Sequence, residues 1–497
     1  MFKSINFKNN IIVYSIYILL ICYFYIYTIL NNSFWNDELA TIILSNPENN
    51  FFKSFKPHQF DTAPPLYGFI LYIFRKITNA NDTLIYTFNF IFFIIGIIFS
   101  LNILNKKFKF KELSIFYLAL ICSPGIFIYV NEVRPYVFLI VFALIISSYS
   151  SLIIINKNLK SYKFPFLSFT ILNIAICYTH YFGFFFSSIN FFLLFCFFIN
   201  HNFRKKILFS FLLTYTIFFP WIFLILYIEI NNLSALNYVE NSIFRETHLS
   251  SSIEYIRQHL WYTRNYLFSF GNNLILIIFL FFLILFEKSK IYKVFLDIKN
   301  NFYILLHIFN FIFLLFFSLL FSNLLPIFAA KYFIVCFPGL YLALNFFLIK
   351  KSKLDFKIYI YCFLIFISFT WWQFNNTDQY ESSWKKISKI IDSEEKCINS
   401  KIFIYQDIPA RIDFYYYYLN KKSNINLVNI YNKKNLVFSD EIFSSKCPYK
   451  IWIERYPLTL IADQINLIKE YSKNEINLDL KHIIKVDKYS YIYKINN

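Results

Sequence analysis

The sequence predicts an α-helical polytopic membrane protein that ends in a small extracytoplasmic α/β domain. Three observations carry this. Of 497 residues, 58% are hydrophobic and 23% aromatic, with a mean hydropathy of +0.49, more apolar surface than a soluble fold of this size uses. Charged residues are only 15% and fall between apolar runs of about 20 residues, the length of a helix that crosses the hydrocarbon core. After Trp372 the composition turns polar and Lys-rich for about 125 residues, enough for a small domain.

The apolar runs lie near 11–30, 84–104, 113–130, 135–155, 164–180, 182–200, 207–230, 268–286, 302–321, 332–349 and 356–372, about eleven spans. The first is too long for a cleavable signal peptide, and no small-residue cleavage site follows it. Pro65–Ile73 is too short to cross and reads as a helix lying in the interface, with Arg75 and Lys76 at its end. With the N-terminus inside, the inner segments carry 20 Lys and Arg and the longer outer segments 9. That bias sets the N-terminus in the cytoplasm and the tail outside; the membrane expected is a bacterial inner (plasma) membrane. It also accounts for the net charge of +19 without a nucleic-acid partner.

The expected domains are therefore 1–372, containing a first outer loop 31–83, and 373–497. The tail has helix-like stretches at Trp384–Lys396 and Leu460–Lys473. Its strand-like runs are Ile402–Tyr405, Phe414–Leu419, Ile425–Ile430, Ile451–Ile453 and Tyr489–Ile495. Six glycines and no Gly-rich phosphate loop argue against a nucleotide-hydrolysing engine. The eight cysteines show no metal-ligand spacing. Cys397 and Cys447 are the only two in the tail; outside the cell they either close a disulfide or lie buried and apart.

The chemistry concentrates on the outer side. Asp37 and Glu38 open a short helix over Asp37–Leu44 that ends before Pro47. Carboxylates there suit the helix dipole, a structural role that fits Glu38 better than both; the functional reading is a general base for an attacking hydroxyl. Asp61, before Pro64-Pro65, either forms a turn or positions a substrate. Between the third and fourth spans runs Tyr129-Val130-Asn131-Glu132-Val133-Arg134-Pro135-Tyr136. Glu132 and Arg134 either pair with each other, or the Arg134 fork holds a lipid phosphate. Lys331 is either a snorkelling interfacial lysine or a cation for the charge on a departing phosphate. His180 and Tyr181 could line the cavity or serve structure alone.

Trp35-Asn36-Asp37-Glu38-Leu39-Ala40-Thr41, Asp61-Thr62-Ala63-Pro64-Pro65-Leu66-Tyr67 and Tyr129–Tyr136 together resemble glycosyltransferase family 39. This is the dolichyl-phosphate-mannose protein mannosyltransferase-like group of GT-C enzymes, which includes the aminoarabinose transferase of lipid A. The resemblance covers roughly 1–350, with Lys331-Tyr332 and Pro338 similar to a late Arg-Tyr element. It implies a GT-C-like fold and inverting transfer from a polyprenyl-phosphate-linked sugar on the outer face. The acceptor is a lipid, glycan or protein, and Asp37 is the base. No cofactor beyond the lipid-linked donor follows from it, and a divalent metal stays open. Ala63 stands where the family has His or Lys before its prolines, which leaves that contact missing or moved to His58. Lys331 replaces the usual Arg.

A lipid-sugar flippase or transporter is the competing class. It should carry ionisable residues near mid-membrane and often internal repeats, whereas these charges cluster at one face. An oligosaccharide ligase or polymerase would use a similar donor but favours a longer central loop than 231–267.

Overall fold

A computed structural model describes residues 19, 21–34, 36–48, 64–156, 165–231, 278, 297–322, 330–349, 355–375, 383–393, 401–405, 417–418, 426–429, 449–455, 483–485 and 490–496. His58, Asp61, Cys397, Cys447, the expected helix Leu460–Lys473 and nearly all of the expected span 268–286 lie outside them. By its contacts the chain forms two units. One is Met1–Leu30 with Thr41–Thr377, the other Asn31–Ala40 with Asp378–Asn497.

The larger unit is helical. Its elements are Ile21–Asn31 (α1), the end of Asn36–Leu44 (α2), Leu66–Thr78 (α3), Asp82–Leu104 (α4), Ser114–Ile121 (α5), Pro124–Val130 (α6), Tyr136–Ile155 (α7), Phe166–Cys177 (α8), Tyr181–Phe197 (α9) and Phe203–Asn231 (α10). Ile298–Ser322 (α11), Phe337–Ile349 (α12) and Asp355–Asn375 (α13) complete it. Among the described residues four helices are long and apolar enough to cross a membrane: Asp82–Leu104, Tyr136–Ile155, Phe203–Leu224 and Asn301–Ser318. The chain is an integral membrane protein. On α4, Ile91, Ile95, Ile98 and Phe99 are exposed while Asn89, Phe93, Gly96 and Ser100 are buried. An apolar outer face with polar and small residues turned inward suits a lipid solvent.

Local chemistry sets the ends. Asn79 stops α3 in the left-handed region (φ 48°), its N–H donating to the Arg75 carbonyl, a conformation that Asn tolerates better than most residues. The Asn81 side chain then accepts the Leu84 N–H at 2.9 Å and starts α4. The single span expected over 113–130 is two short helices, α5 and α6. Ser123 accepts the Ile126 N–H at 3.3 Å as N-cap, and Pro124 occupies the first turn of α6, so the chain restarts where a hydropathy window sees only continuity. Tyr25 Oη donates to the Ile121 carbonyl at 3.3 Å, satisfying an acceptor at the break. The run 332–349 is likewise a 3-10 turn, Ala330–Cys336, followed by α12 with Pro338 in its first turn.

The core centres on α7, of whose apolar window 83% is buried. It packs along α4, α8, α11 and α12; at the α4 crossing a Cβ on Gly96 would come within 2.7 Å of Val141. Ser148 bonds Ser100 of α4 at 2.8 Å, Ser150 accepts from Asn190 of α9 at 3.1 Å, and Ser151 bonds His307 Nε2 of α11 at 2.8 Å. Polar side chains buried among apolar helices need such partners.

In the smaller unit, Ser383–Ser393 (α14) precedes five strands: Lys401–Tyr405 (β1), Asn426–Asn429 (β2), Tyr449–Arg455 (β3), Ile483–Lys485 (β4) and Ser490–Asn496 (β5). They form one sheet of order β2-β1-β3-β5-β4. β1 pairs in parallel with β2 and β3, whereas β5 is antiparallel to both β3 and β4. Of the expected strand Phe414–Leu419, only Tyr417 and Tyr418 are described, and they are helical.

Candidate active site

Short α2 carries the acidic pair. Asp37 and Glu38 lie in its first turn, where unpaired backbone N–H groups and the helix dipole favour negative charge. Burial separates the two. Glu38 is 1% exposed, while Asp37 is partly exposed, and a carboxylate that takes a proton from a bound hydroxyl has to be reachable.

Within the larger unit, two arginines hold the second half of α2. Arg134 Nη1 donates to Thr41 Oγ1 at 3.3 Å. Arg75 Nη1 donates to the Ile42 carbonyl and, at 3.0 Å, to Ser45 Oγ. Helix-end carbonyls lack intrahelical donors and form the negative pole, so a guanidinium suits them. In the sequence Arg75 marks only the end of an interfacial helix; its cap on α2 joins residues 33 apart and has no local signal.

The segment 131–136 forms a tight turn. The Arg134 N–H donates to the Glu132 carbonyl at 2.8 Å. Asn131, Glu132 and Tyr136 are buried, whereas Arg134 is partly exposed. Asn89, fully buried on α4, ties two motifs together: its Nδ2 donates to the Glu132 carbonyl at 2.8 Å, and its Oδ1 accepts from Tyr67 Oη at 3.1 Å. Sequence reasoning overlooked Asn89. Its signal, an amide in a largely apolar span, is shared by the exposed Asn102 of the same helix.

An aromatic cluster lies next to this turn. The His180 ring is 4.8 Å from Tyr332 and 5.8 Å from Tyr136, and Phe182 is 4.9 Å from Tyr332. His180 caps α9, its Nδ1 accepting the Phe182 N–H at 3.1 Å. The backbone of α3 joins the same region, because the Leu66 N–H donates to the Tyr178 carbonyl at 3.0 Å. Tyr181 opens α9 and is partly exposed. Lys331 lies in the Ala330–Cys336 turn, which packs against α7, α9, α11 and α12; its side chain is outside the described residues. The structure thus brings together Tyr136, His180 and Tyr332, and connects Arg134, two residues before Tyr136, to Thr41. Among the described residues no three His, Cys, Asp or Glu side chains group as a metal site.

No protein-family model matches the sequence, and a comparison with curated proteins finds no match. Solved structures do match. ArnT from Cupriavidus metallidurans in the apo state aligns with a TM-score of 0.56 at 9% identity, over 98% of both chains. ArnT from the same organism bound to undecaprenyl phosphate aligns with a TM-score of 0.56 at 9% identity, over 97% of both. The chain has an ArnT-like, mostly helical membrane fold.

Proposed function

We propose that this protein is a membrane glycosyltransferase that moves a sugar from a polyprenyl-phosphate-linked donor to a lipid, glycan or protein acceptor on the extracytoplasmic face. Asp37 takes the proton of the acceptor hydroxyl as its oxygen attacks the anomeric carbon. The bond from that carbon to the phosphate oxygen breaks, the polyprenyl phosphate departs with the electron pair, and the sugar is inverted. Arg134 and Lys331 receive the lipid phosphate, whose charge changes as the sugar leaves, with the buried Tyr136 supporting the turn that carries Arg134. Glu38 supports the helix from its buried position.

The observation that carries this reading is the accessible Asp37 in the first turn of α2. The fold shared with ArnT, one structure of which holds undecaprenyl phosphate, supports the donor class. Mass analysis of envelope lipids and glycans from cells with and without the gene tests it. A sugar-bearing species should vanish with the gene and return with wild type, but not with Asp37→Asn. General-base loss lowers rates by about 10² to 10⁴, so a variant within a few-fold of wild type removes Asp37 from the mechanism. Glu38→Gln should lose less.

A further inference from the structure

The 31–40 segment that leads into α2 belongs, by its contacts, with residues 378–497. Its most specific tie is to one tyrosine. The Phe34 N–H donates to Tyr418 Oη at 2.6 Å, and the same hydroxyl donates to the Phe34 carbonyl at 3.3 Å. The Phe34 ring is 5.9 Å from that of Tyr417, and Phe34 is fully buried. Both backbone polar groups of one residue are thus held by one side chain 384 residues away, two residues before α2 begins and three before Asp37.

We propose that Tyr418 is a positioning residue for the transfer reaction: by locking the backbone at Phe34 it sets the direction in which the first turn of α2 presents Asp37. This rests on the reading of Asp37 as the base and gives the C-terminal domain a catalytic purpose. The physical argument is leverage. A hydroxyl that holds both the donor and the acceptor of one residue fixes its φ and ψ, and a rigid helix starting two residues later carries that orientation to its first-turn side chains. A reacting carboxylate has to sit within a fraction of an ångström of the productive geometry, and misplacement by about 1 Å costs up to about 100-fold.

The test uses the full-length protein and Tyr418→Phe, which keeps the ring and removes only the oxygen. Three quantities are read: hydrogen exchange in the peptide covering 31–40, binding of undecaprenyl phosphate, and transfer in cells by mass analysis. The expected result is faster exchange in 31–40 and transfer lowered about thirtyfold, as for loss of two hydrogen bonds. Undecaprenyl phosphate binding should stay unchanged. A merely structural tyrosine would lower lipid binding and transfer together, and that result overturns the proposal. So does unchanged exchange in 31–40, or faster exchange with transfer at the wild-type level. Asp37→Asn separates this from the underlying reading. It should abolish transfer with 31–40 exchange as in wild type, and an active Asp37→Asn with those Tyr418→Phe results overturns the base assignment alone.

Discussion

Replacing Asn89 tests how the Glu-x-Arg turn is held. Asn89→Ala removes the 2.8 Å bond to the Glu132 carbonyl and the 3.1 Å bond from Tyr67 Oη. A hydrogen bond contributes about 1 kcal/mol net in a folded protein, and helix-to-helix bonds in membranes average about 0.6 kcal/mol with a maximum near 1.7. The Glu132 carbonyl keeps the Arg134 N–H, so it is not orphaned and the large penalty for a buried acceptor does not apply. Asn89→Ala should therefore cost about 1–3 kcal/mol, and Tyr67→Phe about 1 kcal/mol. Because the two residues share a bond, the double variant should be less destabilised than the sum of the two by about 0.6–1 kcal/mol. Unfolding of all four proteins in mixed micelles with increasing dodecyl sulfate measures the cycle. Additivity within about 0.3 kcal/mol refutes the Asn89 bridge. The variant should also bind undecaprenyl phosphate more weakly, since Arg134 loses its fixed turn.

Further predictions concern the neighbouring residues. Arg134→Ala and Lys331→Ala should each weaken binding of undecaprenyl phosphate in titrations, and Arg134→Lys should recover only part, because a lysine cannot supply the fork; unchanged affinity in both alanine variants makes them interfacial anchors. Gly183→Ala should be severe, for its Cβ would lie 2.2 Å from the Ile176 carbonyl oxygen, backbone that cannot swing aside. A loss of about 2 kcal/mol or more, seen as a lower Tm in detergent, is expected. Gly68→Ala on α3 meets nothing within 4 Å and should raise stability by about 0.5–1 kcal/mol.

Much of the local structure could be read from particular residues. The start of α2 was legible because two carboxylates stood where a helix N-terminus wants them, and its end because Pro47 follows. The Pro64-Pro65 pair announced the start of α3. The Ser123-Pro124 break was present in the letters but lost in the reading, since an average over 18 apolar residues gives one serine little weight. The contacts that shape the site could not be read at all. Arg75 to α2, Asn89 to Glu132 and Tyr418 to Phe34 span 33, 43 and 384 residues, and no periodicity encodes such pairs. On membrane helices periodicity is itself faint, because lipid and core are both apolar. On α4 only Asn89, Gly96 and Ser100 mark the inward face.

The serines of α7 bear on how the chain can be made. Ser151 is synthesised 156 residues before the His307 it finally bonds, a delay of roughly 8–30 s at a rate of about 5–20 residues per second. Throughout that interval the helix sits in the bilayer without its late partners. A serine can wait there at little cost by turning its hydroxyl onto the carbonyl four residues back, as Ser148 does to Leu144 at 2.8 Å. An asparagine that does the same, as Asn173 does to the Phe169 carbonyl at 2.7 Å, still has its amide oxygen to satisfy, and a histidine keeps a second ring nitrogen. The chain places the patient side chains on the early helix and the demanding ones, Asn190, His307 and Asn310, on the helices that arrive to meet it. Reversing one such pair, with histidine at 151 and serine at 307, would preserve the final bond while exposing the more polar group first, so the damage should appear in the yield of inserted protein rather than in the stability of what is recovered.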